Sequence, residues 1–255
     1  MIPKIIHYCW LSDDPLPEEF KGYLEGWKRI LKDYEFIRWD FSRFDKTSSA
    51  WVAEAFDNKK YAFAADYIRL YAVYNYGGIY LDLDVEVLKS FDKLLKRPYM
   101  FAFERNNRRW LEPGCFGAEK GDAFLKECLD YYKNRHFVLK NGTFDTFPLP
   151  QIMYKIVQKK KIRLKVYPWY YFTAKSFDTG EVMVTDKTYA IHHFAGSWLP
   201  KEEKEDYAMA REYIRKYGRL GHLFSDYMQA VKREGIKGVF GVTKGKIKRV
   251  LRRWI

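Results

Sequence analysis

Residues 61–87 read YAFAADYIRLYAVYNYGGIYLDLDVEV, and the fold is decided in this stretch. Its first part is rich in Ala, Leu, Ile, Val and Tyr and predicts a helix over 61–76, which Gly77-Gly78 ends. Residues 79–87 alternate acidic and apolar side chains, which is typical of a strand. The stretch therefore predicts a helix, a glycine turn and a strand in direct succession.

Asp82 and Asp84 are the most specific feature of the predicted strand. On a strand, residues i and i+2 point to the same face, so the two carboxylates project together, roughly 6.5–7 Å apart at the backbone. Two like charges on one face of an apolar strand are costly unless a cation lies beside them. Oxygen ligands favour Mg²⁺ or Mn²⁺, so the pair indicates a metal site. The alternative is a strand end with two hydrated acids.

Asp66 and Arg69 lie on the preceding helix at positions i and i+3, and they therefore share one face. A charged pair in so apolar a helix is expected to be partly buried, and burying charged side chains is costly unless they interact with each other or with a ligand. One interpretation is that both side chains bind a ligand. The other is an internal ion pair that fixes the helix to the sheet.

The remaining segments extend the same pattern. Residues 4–10 predict a buried strand, 18–31 an amphipathic helix and 34–39 a second strand, an opening typical of α/β nucleotide-binding sheets. Further elements are helices over 51–56, 122–133, 151–159 and from 201 onward, with strands over 99–103 and within 181–191.

The string Ala65-Asp66-x-x-Arg69-x-x-x-Val73-x-x-x-Gly77-Gly78-x-Tyr80-x-Asp82-x-Asp84 resembles the signature of a family of DXD-containing sugar transferases. That family groups fungal initiating mannosyltransferases, bacterial capsular-polysaccharide transferases and the glucosylating domain of large clostridial toxins. The opening, residues 2–10, resembles the family's start, and His192-His193-Phe194-Ala195-Gly196-Ser197-Trp198 resembles its closing segment. These anchors span most of the chain but not its C-terminal tail.

The resemblance implies a GT-A type fold, that is, a Rossmann-like mixed sheet with helices on both faces, here with a helical C-terminal extension. It places the nucleotide-sugar-binding catalytic domain at 1–200 and the basic helical extension at 201–255. The implied activity is retaining transfer of a hexose from a nucleotide-sugar, expected to be UDP-Gal or UDP-Glc, with Mn²⁺ or Mg²⁺ as cofactor. The expected acceptor is a glycan or lipid-linked oligosaccharide in surface (capsular) polysaccharide biosynthesis.

The resemblance also assigns metal ligands and nucleotide contacts. Asp82, Asp84 and His193 are the expected metal ligands, and His192 points the other way if the segment is extended. Trp10 is expected to stack on the nucleobase, with a core tryptophan as the alternative. Tyr80, Asp82 and Ser197 are the other nucleotide-binding residues that the resemblance implies.

Three residues are expected to act on the sugar and the leaving group. Asp66 accepts hydrogen bonds from sugar hydroxyls, Arg69 contacts sugar or phosphate, and the Trp198 indole donates its N–H to the β-phosphate. Where many relatives have Thr-Gly-Pro, this chain has Asn141-Gly142-Thr143, so the acceptor side departs from the family pattern.

The net charge of +13 is concentrated near the C-terminus, where residues 232–255 hold nine Lys or Arg and one acid. Ile247, Val250, Leu251 and Trp254 share one helical face, so residues 243–255 are expected to contact an anionic membrane. Packing of that stripe on the protein body is the alternative. Three cysteines without paired spacing, and no run of 18 apolar residues, predict a cytoplasmic protein. The basic tail adds the expectation of a peripheral location on the inner face of the cytoplasmic membrane.

Three other classes of protein fit some of these features. A metal phosphoesterase or nuclease requires further clustered acids or histidines, which the sequence does not show. A non-catalytic sugar-nucleotide-binding module would be expected to lose one of the four charged motif residues, and all four are present. A nucleic-acid-binding protein requires a basic stripe within the domain, whereas the positive charge lies in the tail, so no nucleic-acid partner is expected.

Overall fold

The computed structural model describes residues 1–105, 109–196, 201–218, 220, 221 and 228. These residues fall into two compact units. The first comprises residues 1–175 and the described part of 182–198, and the second comprises 176–181 and the described residues from 201 onward. The predicted domain boundary at residue 200 stays a prediction.

Helices and strands alternate through the first half of the first unit. In chain order its elements are β1 (Ile5–Cys9), α1 (Glu18–Ile30), β2 (Glu35–Trp39), α2 (Ala50–Asp57), α3 (Tyr61–Tyr76), β3 (Gly78–Leu81), β4 (Val85–Val87), β5 (Tyr99–Met100), β6 (Cys115–Ala118), α4 (Ala123–Tyr132), α5 (Leu149–Lys160) and β7 (Ala190–His192). The second unit contains α6 (Lys201–Tyr217), on which Arg211 Nε donates a hydrogen bond to the Phe177 carbonyl at 2.9 Å. No helix in the described ranges is both long and apolar enough to cross a bilayer.

The main sheet has five strands in the order β2-β1-β3-β6-β5. Strand β1 runs parallel to β2 and β3, whereas β6 runs antiparallel to β3 and β5. Because His7 pairs with Tyr80, the residues that follow β1 and β3 leave the sheet at the same edge. That edge is where ligands bind in open α/β sheets.

Helices cover both faces of this sheet. Tyr80 and Phe116 point into a core that also contains buried residues of α2, α3, α4 and α5. Ile79 and Leu81 point to the opposite face, where they share a core with Phe20 and Trp27 of α1. The alternation is that of a strand buried on both sides. The mixed α/β sheet with helices on both faces, expected of a GT-A type fold, is confirmed.

The expectation of one strand over 79–87 is wrong. The chain forms β3, turns at Leu83 and Asp84, and continues as β4, which pairs with β7 in a separate two-stranded sheet. The Val85 N–H closes the turn by donating to the Asp82 carbonyl at 3.0 Å. The two carboxylates are therefore brought together by a turn and not by strand alternation.

Candidate metal and nucleotide site

Asp82 is held at the end of β3 by the backbone and by two neighbouring side chains. Its N–H donates to the Gly114 carbonyl at 2.8 Å, which ties it to the segment entering β6. The Tyr80 hydroxyl donates to Asp82 Oδ1 at 2.8 Å, and Arg69 Nη1 donates to Oδ2 at 3.0 Å. Both carboxylate oxygens thus have a fixed direction.

Tyr80 lies in the core directly beside Asp82. The residue is 1% exposed and its hydroxyl holds the Asp82 carboxylate, whereas its predicted contact with a nucleotide stays a prediction. Burial, partly offset by the Arg69 guanidinium 4.8 Å above the ring, raises the pKa of Tyr80 well above its ordinary value. The phenol therefore remains a hydrogen-bond donor to Asp82 Oδ1.

Asp66 and Arg69 form the buried ion pair that the sequence left as one of two interpretations. Arg69 Nη2 lies 3.3 Å from Asp66 Oδ1, and Nη1 also donates to the Pro113 carbonyl at 2.9 Å. Burial raises the pKa of Asp66 to about 7, although Arg69 acts in the opposite direction. Through this guanidinium, helix α3 orients Asp82. The geometry favours a positioning role for Arg69, whereas its predicted contact to sugar or phosphate stays a prediction.

Asp84 is bound on both oxygens by the segment that follows β7. Oδ2 accepts the Ala195 N–H at 2.7 Å, and Oδ1 lies 3.3 Å from His192 Nε2. The His193 N–H also donates to the Asp84 carbonyl at 2.9 Å. Burial alone would raise the pKa of Asp84, but His192 and the hydrogen bonds lower it to about 2. Asp84 is therefore ionised throughout the neutral range.

His192, and not His193, reaches the two aspartates. One donor atom from each of Asp82, Asp84 and His192 lies within 4.8 Å of the other two. His193 instead places Nε2 2.9 Å from Glu86 Oε2 and stacks on the Tyr23 ring at 5.1 Å. The geometry therefore favours His192 as the third ligand, whereas the metal-ligand role expected of His193 stays a prediction. Because β7 runs antiparallel to β4, His192 opposes Val85, directly after Asp84, and its ring lies on the side of that aspartate.

Glu112 is a component of the site that sequence reasoning missed. Its carboxylate is 0% exposed and lies 2.9 Å from His192 Nδ1. Burial would lower the pKa of His192, but Glu112 and Asp84 raise it well above the ordinary value. No spacing signal connects positions 112 and 192, which are eighty residues apart in the chain.

The donor set fits a hard divalent cation. Two carboxylate oxygens and one imidazole nitrogen converge at the sheet edge, and carboxylates outnumber the cationic groups around them. Such a set suits Mn²⁺ or Mg²⁺ better than thiolate-binding metals. The carboxylates are held in place by protein donors, so a cation would meet ligands that already have their orientation.

Trp10 lies beside a cleft at the end of β1. The cleft has a volume of about 390 Å³ and is lined by Tyr8, Trp10, Ser12, Asp13, Asp14, Pro15, Leu16, Leu24 and Arg38. The Trp10 ring packs edge-on against Phe20, and its Nε1–H donates to the Asp14 carbonyl at 2.8 Å. The indole is thus fixed at the rim of a cleft that opens at the same sheet edge as Asp82. Ser197 and Trp198, the other two predicted site residues, lie outside the described residues.

Comparison with known proteins finds similarity to glycosyltransferases. Residues 17–101 match the family model described as "Glycosyltransferase sugar-binding region containing DXD motif". Inositol phosphoceramide mannosyltransferase 3 of Schizosaccharomyces pombe is 31% identical over 156 residues, covering 58% of this chain and 43% of the relative. A mannosyl phosphorylinositol ceramide synthase of Saccharomyces cerevisiae is 37% identical over 102 residues, covering 38% and 26% respectively.

Among solved structures, a glycosyltransferase involved in the glycosylation of the major capsid of PBCV-1 aligns with 80% of this chain and 100% of that chain, with a TM-score of 0.47 and 15% identity. The chain spans less than half the length of the two curated relatives named above. The matched region contains Asp66, Arg69, Asp82 and Asp84. The resemblance seen in the sequence is confirmed: residues 17–101 are similar to the glycosyltransferase family with a DXD-containing sugar-binding region.

Proposed function

We propose that this protein is a metal-dependent, retaining glycosyltransferase that moves a hexose from a nucleotide-sugar to a glycan or lipid-linked acceptor. The observation that carries the proposal is the convergence of Asp82, Asp84 and His192 at the carboxyl edge of the sheet. A family match that includes both aspartates supports it.

A divalent cation bound there would stabilise negative charge on the departing diphosphate, which is the dominant requirement of such a transfer. The protein's part is to hold the ligands rigidly. Tyr80 and Arg69 fix the two oxygens of Asp82, and the Ala195 N–H fixes Oδ2 of Asp84. Because these donors are already in place, little reorganisation accompanies binding of the donor substrate.

Asp66 is the group we assign to the sugar. Its side chain is 15% exposed, in contrast to 6% for Arg69, so an edge of the carboxylate remains open beside Asp82. The Arg69 guanidinium holds its Oδ1 at 3.3 Å. A carboxylate held from behind in this way accepts hydrogen bonds from sugar hydroxyls without changing rotamer. Trp198, at the end of the closing segment, is proposed to donate its indole N–H to the leaving phosphate.

The cleft beside Trp10 is proposed to take the nucleobase. Its volume of about 390 Å³ lies in the range of small-molecule pockets. Its lining includes the aromatic residues Tyr8 and Trp10, together with Arg38 and two acids, Asp13 and Asp14. Stacking on Trp10 would place the base at the end of β1 and extend the phosphates toward the end of β3.

Two observations point to different donor sugars. The resemblance to capsule enzymes favours UDP-Gal or UDP-Glc, whereas the curated relatives named above are called mannosyltransferase and mannosyl phosphorylinositol ceramide synthase. Those two relatives are named for lipid substrates, which supports a lipid-linked acceptor. The location at the inner face of the cytoplasmic membrane is proposed from the basic C-terminal residues alone.

A panel of nucleotide-sugars with Mn²⁺ tests this function. Hydrolysis of UDP-Gal, UDP-Glc and GDP-mannose is measured by release of the nucleoside diphosphate, with and without EDTA. We expect one donor to be turned over and EDTA to abolish the release. Metal-independent release would contradict the proposed metal dependence, and cleavage of phosphodiesters in place of sugar donors would favour the metal phosphoesterase alternative.

A further inference from the structure

Glu112 is a buried carboxylate, and both of its side-chain oxygens are hydrogen-bonded within the first unit. Oε1 accepts the Gly114 N–H at 2.6 Å and lies 2.9 Å from His192 Nδ1, while Oε2 accepts the Thr173 hydroxyl at 3.0 Å. Its own N–H donates to the Ala102 carbonyl at 2.9 Å. Burying a carboxylate fully costs desolvation free energy, so its presence here requires either compensating interactions or a role in the site.

Position 114 shows how closely the surrounding groups approach one another. A Cβ added at Gly114 would lie 2.7 Å from His192 Cε1, 2.9 Å from Asp82 Oδ2 and 2.9 Å from Glu112 Oε1. Any side chain at this position would force at least one of these three groups to move. The backbone therefore leaves open the space in which the His192 ring passes between Glu112 and the two aspartates.

We propose that Glu112 is a positioning residue of the metal site, which acts by accepting the Nδ1–H of His192 and so directs the Nε2 lone pair toward the cation. This inference rests on the metal site proposed above. A ligating histidine whose other ring N–H is held by a carboxylate has a defined tautomer and ring orientation and is a stronger ligand. Nε2 of His192 already faces Asp84 Oδ1 at 3.3 Å, which is the direction that the role requires, and a cation bound there would displace the Nε2 proton to solvent.

Mn²⁺ binding to the metal-free protein, measured as free Mn²⁺ by electron paramagnetic resonance, tests the proposal without any assay of turnover. Four proteins are compared: the wild type, Glu112→Gln, His192→Ala and the double variant. Glutamine keeps the shape and can still accept the Gly114 N–H, but it lacks the charge. We expect Glu112→Gln to weaken Mn²⁺ binding by about tenfold to a hundredfold in the wild type. In the His192→Ala background, Glu112→Gln should change the Mn²⁺ affinity by less than about twofold, because the imidazole through which Glu112 acts is absent.

Thr173→Val gives a second, milder cycle that does not depend on the folding of the Glu112 variant. It removes one hydrogen bond from Glu112 and no proposed metal ligand, so a smaller loss of affinity is expected, again only when His192 is present. A purely structural role would lower the melting temperature of the metal-free protein and weaken Mn²⁺ binding equally in both backgrounds. That result, or unchanged affinity in Glu112→Gln, overturns the proposal. A wild type that binds neither Mn²⁺ nor Mg²⁺ overturns the metal site itself.

Discussion

At the scale of single residues, Gly114 is the position where the site is most crowded. Its N–H donates to Glu112, and its carbonyl accepts from the Asp82 N–H. A Cβ at this position would overlap the side chains of His192, Asp82 and Glu112. Contacts under 3 Å cannot be relieved by a small shift, because each neighbour is held by other hydrogen bonds. The glycine is therefore required by the site and not by its own backbone conformation.

We predict that Gly114→Ala weakens Mn²⁺ binding by at least about tenfold, equivalent to about 1.4 kcal/mol, while the protein remains folded. The added methyl displaces the His192 ring or the Asp82 carboxylate. Gly26→Ala is the matched control, since a Cβ there meets nothing within 4 Å and Ala is favourable in helix α1. Mn²⁺ titration and thermal melting of both variants check this prediction. Equal affinities in the two variants would show that the crowding has no consequence.

The sequence predicted those site residues that lie close together in the chain. Asp66 and Arg69 are one helical turn apart, and Asp82 and Asp84 flank one residue, so local periodicity already placed each pair on a common side. It failed where contacts join distant segments. The choice between His192 and His193 depends on the register of β7 against β4, and Glu112 reaches the site from another part of the fold.

At the scale of elements, the break between β3 and β4 decides the site geometry. The alternation of apolar and acidic residues continues through Asp82, Leu83 and Asp84, so periodicity gives no sign of a turn. The turn is stabilised by burial of the Leu83 side chain and by the hydrogen bond that the Val85 N–H donates to the Asp82 carbonyl. Strand β6 was missed for a related reason. It has only four residues, one of them Gly117, and too short a pattern to distinguish from a loop.

His7 of β1 is hydrogen-bonded to β2 and to the turn that precedes β3, and it gives a prediction for stability. Its Nε2–H donates to the Gly77 carbonyl at 2.8 Å, and Nδ1 accepts the Trp39 indole N–H at 3.0 Å. The bond from the Trp39 indole requires a neutral ring, because a protonated Nδ1 cannot accept it. Burial is the main cause that lowers the pKa of His7 to about 4, from 6.5 in the unfolded chain. Between these values the unfolded state binds more protons, so the free energy of unfolding falls as the pH falls.

We therefore expect the His7 contribution, about 3 kcal/mol, to be present at pH 7 and largely lost by pH 4. The measurement is urea unfolding of the wild type and His7→Gln at several pH values in this range. Glutamine does not titrate, so the difference between the two proteins isolates His7 from the other acids. The stability advantage of the wild type should shrink by about 2–3 kcal/mol on acidification. A constant difference would contradict the neutral, buried assignment.

At the scale of the whole molecule, the proposed metal site and the proposed membrane contact carry opposite charge. The metal site is rich in carboxylates, whereas residues 232–255 carry nine Lys or Arg with one acid. Those residues lie outside the described ranges, and their contact with a membrane remains our proposal. Each cation near an anionic leaflet contributes on the order of 1 kcal/mol, so several together give weak, salt-sensitive binding.

Removal of residues 243–255 is expected to abolish sedimentation with vesicles containing anionic lipid, and high salt should release the full-length protein. Hydrolysis of the donor sugar should survive the truncation, because the residues assigned to it all precede position 199. Vesicles of neutral lipid serve as the control. Equal sedimentation of the two proteins with anionic vesicles would rule out the tail as an anchor.

The most direct test of the metal-dependent function is the Mn²⁺-dependent turnover of the donor sugar by Asp84→Asn, with His193→Ala as the matched control. Asparagine keeps the volume of Asp84 but removes a charged ligand, and His193 lies beside the site while pairing with Glu86. We predict that Asp84→Asn loses more than about tenfold in turnover, a barrier increase above about 1.4 kcal/mol, whereas His193→Ala retains most of it. Turnover above about a tenth of the wild type in Asp84→Asn, or an equal loss in His193→Ala, would contradict the assignment of Asp82, Asp84 and His192 as the metal site.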